Sequence, residues 1–193
     1  MLYAQHFSQE EFRDWAEDMS PRLVTMLDVL RFKLGSPIEI SLSEYALGRN
    51  LGRGKMSEHN SDEWGEVLAV DCFVSGVYNR AQAEAVVYEA EGVGFTGIGV
   101  YSDTHNNQGD DQVMFHLGVR PTEIMGSPAT WGRVDHDYTS LMAAIQSIKA
   151  GYYERMGKHK GNSRLSRTHG RVNACRACWW RSGCYDRVCF RRR

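Results

Sequence analysis

Two imidazoles and one carboxylate carry the chemistry that this chain of 193 residues could perform: His59, Asp71 and His116. His59 sits in a polar, turn-rich run, Ser57-Glu58-His59-Asn60-Ser61-Asp62. Asp71 interrupts the apolar run Val67 to Val74, and His116 lies in Met114-Phe115-His116-Leu117. Burying a carboxylate is costly unless something pairs with it, and a cation would serve. Two histidines and an aspartate from separate elements make an open zinc site, with three protein ligands and a fourth position left for water, as catalytic rather than structural zinc requires. The same residues also fit a core His116 satisfied by backbone and an Asp71 at a strand end. With seven histidines in the chain, many triples are available.

Those residues need elements to position them. Phe7-Ser8-Gln9-Glu10-Glu11-Phe12 reads as a helix start: Ser8 and Glu11 fit a capping box, and Phe7 with Phe12 a hydrophobic staple. A second helix begins at Ser20-Pro21, carries Leu23, Met26, Leu27, Leu30 and Leu34 on one face, and closes at Gly35. Ile38 to Leu42 reads as a strand, and residues 43 to 66 as a long loop of a length that tends to be functional. Val67 to Val74 is a strand. Asn79 caps a helix bearing Ala83, Val86, Val87 and Ala90, which ends at Gly92-Val93-Gly94. Ile98 to Tyr101 and Gln112 to Val119 are two more strands, and a last helix spans about Thr139 to Tyr152. This order predicts α+β: a small antiparallel sheet flanked by helices, with the zinc site at the sheet.

The composition is that of a globular chain, 42% hydrophobic and 24% charged, with a net charge of -1. That charge is unevenly spread. Residues 1–150 hold 22 acidic and 11 basic residues, whereas residues 151–193 hold 2 acidic and 12 basic. We therefore divide the chain into a domain over 1–153 and a basic, Cys/Arg-rich tail over 154–193, disordered or folded as a small zinc knuckle. The tail carries Cys175, Cys178, Cys184 and Cys189, beside Trp179-Trp180 and nine arginines from Arg164 onward. Cys-x-x-Cys is half of a structural zinc site; oxidised, the four could form disulfides. The basic side chains would suit an anionic polymer, yet nucleic acid is not the expected partner. Cys72 reads as a small buried hydrophobe. The opening residues lack the pattern of a secretory signal, and no apolar run is long enough to span a membrane.

The order of several short motifs resembles the zinc D-Ala-D-Ala carboxypeptidase and murein endopeptidase family, peptidase family M15, and above all its small phage and bacterial members. The family pattern is Ser-x-His-x-x-Gly-x-Ala-x-Asp, then Gly-(Ile/Val)-Gly-x-Tyr, then Phe-x-His-x-Asp and a nearby Trp. Here Ser57-Glu58-His59 and Ala69-Val70-Asp71 match the first motif, and Gly97-Ile98-Gly99-Val100-Tyr101 the second. Phe115-His116-Leu117 matches the third, and Pro128-Ala129-Thr130-Trp131 the tryptophan; the likeness spans about residues 5 to 135. It implies that His59, Asp71 and His116 ligate zinc, and that the chain hydrolyses a D-amino-acid-containing bond in peptidoglycan stem peptides. The enzyme would be phage-encoded, for lysis or wall penetration, and a monomer. It would wait in the host cytoplasm until release to the wall, or ride on the virion. The other reading is a catalytically degenerate module that binds wall peptide without cutting it.

Three departures bear on the mechanism. The family aspartate falls seven residues after the first histidine, where this chain has Glu66; Asp71 comes twelve after, so Asp71 as ligand requires a five-residue insertion. Gly118 stands where the subgroup carries Asp, and Val113 where other branches place an acidic base. Asp110 and Asp111, in the loop before the last strand, are the acids that could substitute, with Asp111 the expected catalytic base; the other reading of the pair is a solvated turn. Arg49 is the expected binder of a substrate carboxylate, Tyr101 and Trp131 the remaining substrate-binding residues, and His105 the reserve ligand.

Overall fold

The computed structural model describes residues 4–48, 57–126 and 128–148. Arg49, the tail with its four cysteines, and the far end of the expected last helix lie outside the described residues.

The chain opens with a 3-10 helix, Gln9–Trp15, where the Glu11 carboxylate accepts from the Ser8 amide at 3.0 Å and the Phe7 and Phe12 rings lie 5.6 Å apart. Helix α1, Pro21–Leu34, starts on its proline and ends at Gly35, whose φ of 59° is a conformation that glycine reaches without Cβ strain. Helix α3, Arg80–Val93, follows the short turn α2, Ser61–Trp64. The Asn79 side chain caps α3 by accepting from the Gln82 amide. A short α4, Thr122–Met125, and α5, Leu141–Ser147, complete the helices.

Six strands form one sheet in the order β1-β2-β4-β3-β5-β6: Ile38–Ile40, Ala69–Val74, Met114–Gly118, Gly97–Tyr101, Ala129–Val134 and Asp137–Thr139. All neighbours run antiparallel except β3 and β5, which are parallel. The sheet is therefore mixed rather than wholly antiparallel, because the chain passes through α4 before returning alongside β3.

Side chains alternate across a strand, and that alternation divides the molecule. Val70, Cys72, Val74, Ile98, Val100, Phe115 and Leu117 point to one face and join Leu23, Leu27, Leu30, Val86, Ala90 and Ile145 in a single hydrophobic core. Each of these larger side chains contributes roughly 1.5–3 kcal/mol on burial. Gly132 belongs to this face, and a Cβ there would strike Ala144 of α5. The opposite face carries Asp71, His116, Gly99 and Trp131, which the register sets side by side in one row across β2, β4, β3 and β5.

Among the described residues no helix is long and apolar enough to cross a membrane.

Candidate metal centre

His59 reaches the sheet from the turn that precedes α2. Ser57 O accepts from both the Asn60 amide and the Trp64 indole, and Glu58 O accepts from the Leu68 amide, so the following chain clamps this turn. Asp71 is held by its own amide, which donates to Ala46 O. His116 stands opposite Asp71 in the antiparallel register. The result is that His59, Asp71 and His116 lie close enough to hold a metal ion between them.

The atoms that could ligate it are His59 Nε2, His116 Nδ1 and Asp71 Oδ1, separated by 3.1, 3.0 and 3.6 Å. A tetrahedral ion with nitrogen and oxygen ligands at its usual bond lengths would set them about 3.3 Å apart. The residues fit. Both outward ring nitrogens are engaged as well. His59 Nδ1 lies 2.7 Å from Leu47 O, and His116 Nε2 lies 2.8 Å from the Glu58 carboxylate. Those partners can only accept, so each outward nitrogen carries the hydrogen and each inward one offers a lone pair. Three lone-pair atoms thus converge on one point, and only a cation or a proton relieves them.

The electrostatics of the metal-free protein agree with this. Burial by itself would raise the Asp71 carboxyl, but the neighbouring His59 charge and the hydrogen bonds of His116 and His59 hold it well below the ordinary range. Burial likewise disfavours a charged His116; the carboxylates of Asp71 and Glu58 outweigh it and push the ring up to about 9.

Around the three ligands lies a cavity of about 280 Å³, lined also by Ser57, Glu58, Tyr101, Arg120, Trp131 and Tyr138. Trp131 packs its ring 4.8 Å from that of His116, and Gly99 makes this possible: a Cβ at 99 would come within 2.7 Å of the indole nitrogen. The Trp131 indole donates to the Tyr101 hydroxyl at 3.2 Å, which leaves the phenolic hydrogen for another acceptor. Burial and the Asp71 charge push the Tyr101 phenol up, so it stays protonated. The Arg133 guanidinium lies over the Tyr101 ring, 4.7 Å from its centre.

Tyr101 and Trp131 line the same cavity as the three-residue cluster, and Glu66 is not part of that cluster. Asp111 is not brought to the cavity either. The loop before β4 closes on itself, with a bridge between His105 and Asp111 and with Asn106 accepting from the Gln108 and Asp110 amides. Asp111 faces His105 at 3.1 Å beside a second cavity, of about 440 Å³. That pairing also occupies His105, the reserve ligand.

Sequence reasoning missed Glu58 and Arg120. Glu58 is only 4% exposed, and one of its oxygens pairs with Arg120 Nη1 at 3.0 Å while the other meets His116. No local signal pointed to them: Gly97 and Gly118 leave the space that Glu58 fills, but only the sheet register sets the two glycines opposite each other.

Comparison with known protein families, with characterised proteins and with solved structures finds no match to this chain.

Proposed function

We propose that the chain is a zinc-dependent peptidase of the M15 type that hydrolyses a D-amino-acid-containing bond in peptidoglycan stem peptides. The observation that carries this reading is the convergence of His59 Nε2, His116 Nδ1 and Asp71 Oδ1 at the floor of an open cavity, with both imidazoles oriented from behind. One carboxylate and two imidazoles are a donor set suited to zinc. Such an ion supplies a Lewis acid and a nucleophile derived from water at neutral pH. The chain's own groups do the rest. Tyr101, protonated and already accepting from Trp131, can donate its hydrogen to the oxygen that gains charge as the carbonyl is attacked. The Trp131 ring offers an apolar wall to the substrate backbone. The choice of a wall peptide as substrate rests on the motif order, His59, Asp71, Tyr101, His116 and Trp131, and on its resemblance to the family.

The reading is tested by incubating the zinc-loaded full chain with a purified muropeptide bearing a D-alanine-terminated stem. Cleavage that stops with a chelator, returns with zinc and is absent in His116→Ala is the expected result.

A second reading has its own observation. Among the described residues lining the cavity, the carboxylates are Asp71, a ligand, and Glu58, which faces the far side of His116. A proton acceptor of the usual kind for peptide hydrolysis is therefore not among them, and a module that binds wall peptide without cutting it fits the same cavity. Tight muropeptide binding by the zinc form with no product would select this second reading.

A further inference from the structure

We propose that Glu58 is the positioning residue of His116: a carboxylate delivered from the turn before α2 into space that Gly97 and Gly118 leave open, where a side chain on residue 118 would otherwise stand. The inference rests on the metal-centre reading above.

The imidazole of His116 has two nitrogens facing opposite ways. Nδ1 turns to His59 and Asp71, and Nε2 turns to Glu58 Oε2 at 2.8 Å. An outer carboxylate of this kind fixes ring orientation and tautomer and raises the basicity of the ligating nitrogen. The same geometry excludes Glu58 as the proton acceptor of the reaction, because the whole ring separates it from the ligand cluster.

Glu58 fits only because two residues are absent as side chains. A Cβ on Gly97 would come within 2.5 Å of Glu58 Oε2, and a Cβ on Gly118 would fall on top of the same oxygen. Gly97 and Gly118 are paired in register across β3 and β4, with Ala69 next to Gly118 on β2, so the row beside the ligands is built of small residues. Neither glycine is explained by backbone conformation, since neither has a positive φ. Space is what they supply. Arg120 completes the unit, holding Glu58 Oε1 at 3.0 Å and balancing the buried charge.

A carboxylate on residue 118 could do the same task. A Cβ at that position lies 3.2 Å from His116 Nε2, so the carboxylate of an aspartate there would reach the ring from the strand itself. The parent pair, Glu58 with Gly118, and the combination of Glu58→Ala with Gly118→Asp are then two solutions to one problem. Either substitution alone is not.

The experiment is a cycle of four full-length proteins: the parent, Glu58→Ala, Gly118→Asp and the double variant. Each is titrated with Co²⁺ and followed by the visible spectrum of the bound ion and by circular dichroism. Glu58→Ala should lose about 10- to 100-fold in metal affinity. Gly118→Asp, which forces two carboxylates into one space, should lose affinity too. The double variant should regain most of the loss, with the parent's spectrum. Should Glu58→Ala unfold, the double variant is compared with Gly118→Asp instead and should bind Co²⁺ more tightly than that single variant, because removing the Glu58 side chain frees the space that the new carboxylate needs.

A double variant no better than Glu58→Ala, or a Glu58→Ala with parental affinity, would overturn the proposal. Affinity does not depend on turnover. A parent that binds metal and completes the cycle but cuts no muropeptide sinks the peptidase reading and leaves this inference standing. The reverse pattern sinks the inference alone.

Discussion

Two of the histidine–aspartate pairs among the described residues are close in length and opposite in setting. His116 Nδ1 and Asp71 are 3.0 Å apart, and His105 Nε2 and Asp111 are 3.1 Å apart. The side chains of the first pair are 6% and 13% exposed, those of the second 66% and 64%. In water the second pair exchanges one set of hydrogen bonds for another and gains little. In the sheet the first pair has lost its water, so its cost must be offset locally. His59, Glu58 and Arg120 are the residues that do so. Chemical type and distance are the same in both pairs; burial and a third convergent ligand make one of them a candidate metal centre.

The largest difference between the pairs should appear in metal content. His116→Ala removes one ligand and the donor to Glu58, and should lower bound zinc by about one ion per chain relative to the parent. His105→Ala should leave the count unchanged. Elemental analysis of the full chain, read as the difference between variants, keeps the tail cysteines out of the comparison. Equal zinc in parent and His116→Ala would break the contrast.

Proton competition is the next largest. His116 is pushed up to about 9 in the metal-free fold, against an ordinary 6.5. A metal ion must displace that proton, so apparent affinity should fall up to about tenfold for each unit that pH drops below the raised value. Stability of the stripped protein has the opposite sense. A raised histidine contributes fully below 6.5 and loses its contribution as pH rises through about 9. The stripped protein should therefore lose stability on the alkaline side, where the loaded protein gains the most from its ion. Thermal melts of both forms across this range test the crossing. A stripped protein with a melting temperature independent of pH would mean that His116 is not protonated between its carboxylates.

Some of this was legible in advance, for identifiable reasons. Helices α1 and α3 announce themselves through Pro21, Asn79 and the closing glycines, because caps are local chemistry. The three residues of the candidate metal centre stood out as polar residues in apolar or turn-rich runs. Strands β5 and β6 did not, and their hairpin explains why. Its turn places Asp135 and His136 at φ 49° and 72° without an Asn-Gly signal, and the Asp103 carboxylate holds the His136 amide instead. The last helix begins later than its pattern suggests, at Leu141, because Thr139 is taken by β6. Glu58 was invisible for a different reason. Its role depends on two glycines 39 and 60 residues further along the chain, and only the register of β3 and β4 brings them beneath it.

Gly99 gives a smaller, purely steric test of the buried side. A Cβ there would meet the Trp131 indole at 2.7 Å and His116 Cβ at 3.0 Å. Gly99→Ala should cost roughly 1–3 kcal/mol, the usual range for overpacking. It should also weaken metal binding by tilting His116. Denaturant titration beside a metal titration separates the two effects; loss of stability with unchanged affinity would mean that Trp131 alone gives way.

The smallest expected effect bears on Asp111 and sharpens the comparison most. Its pair with His105 is mostly solvated, so Asp111→Ala should change stability by about 0–1 kcal/mol, a shift of about 2–4 °C at most in a chain of this size. Metal content should be unchanged, because Asp111 lines the other cavity. Muropeptide cleavage, if the zinc form performs it, should also be unchanged, since the loop bridge at His105 directs this carboxylate away from the ligands. A variant that binds zinc normally yet no longer cleaves would reverse that conclusion. It would mean that the loop from Ser102 to Asp111 refolds over the substrate and delivers the proton acceptor missing from the cavity wall, and the exposed pair would then be the resting position of a working group.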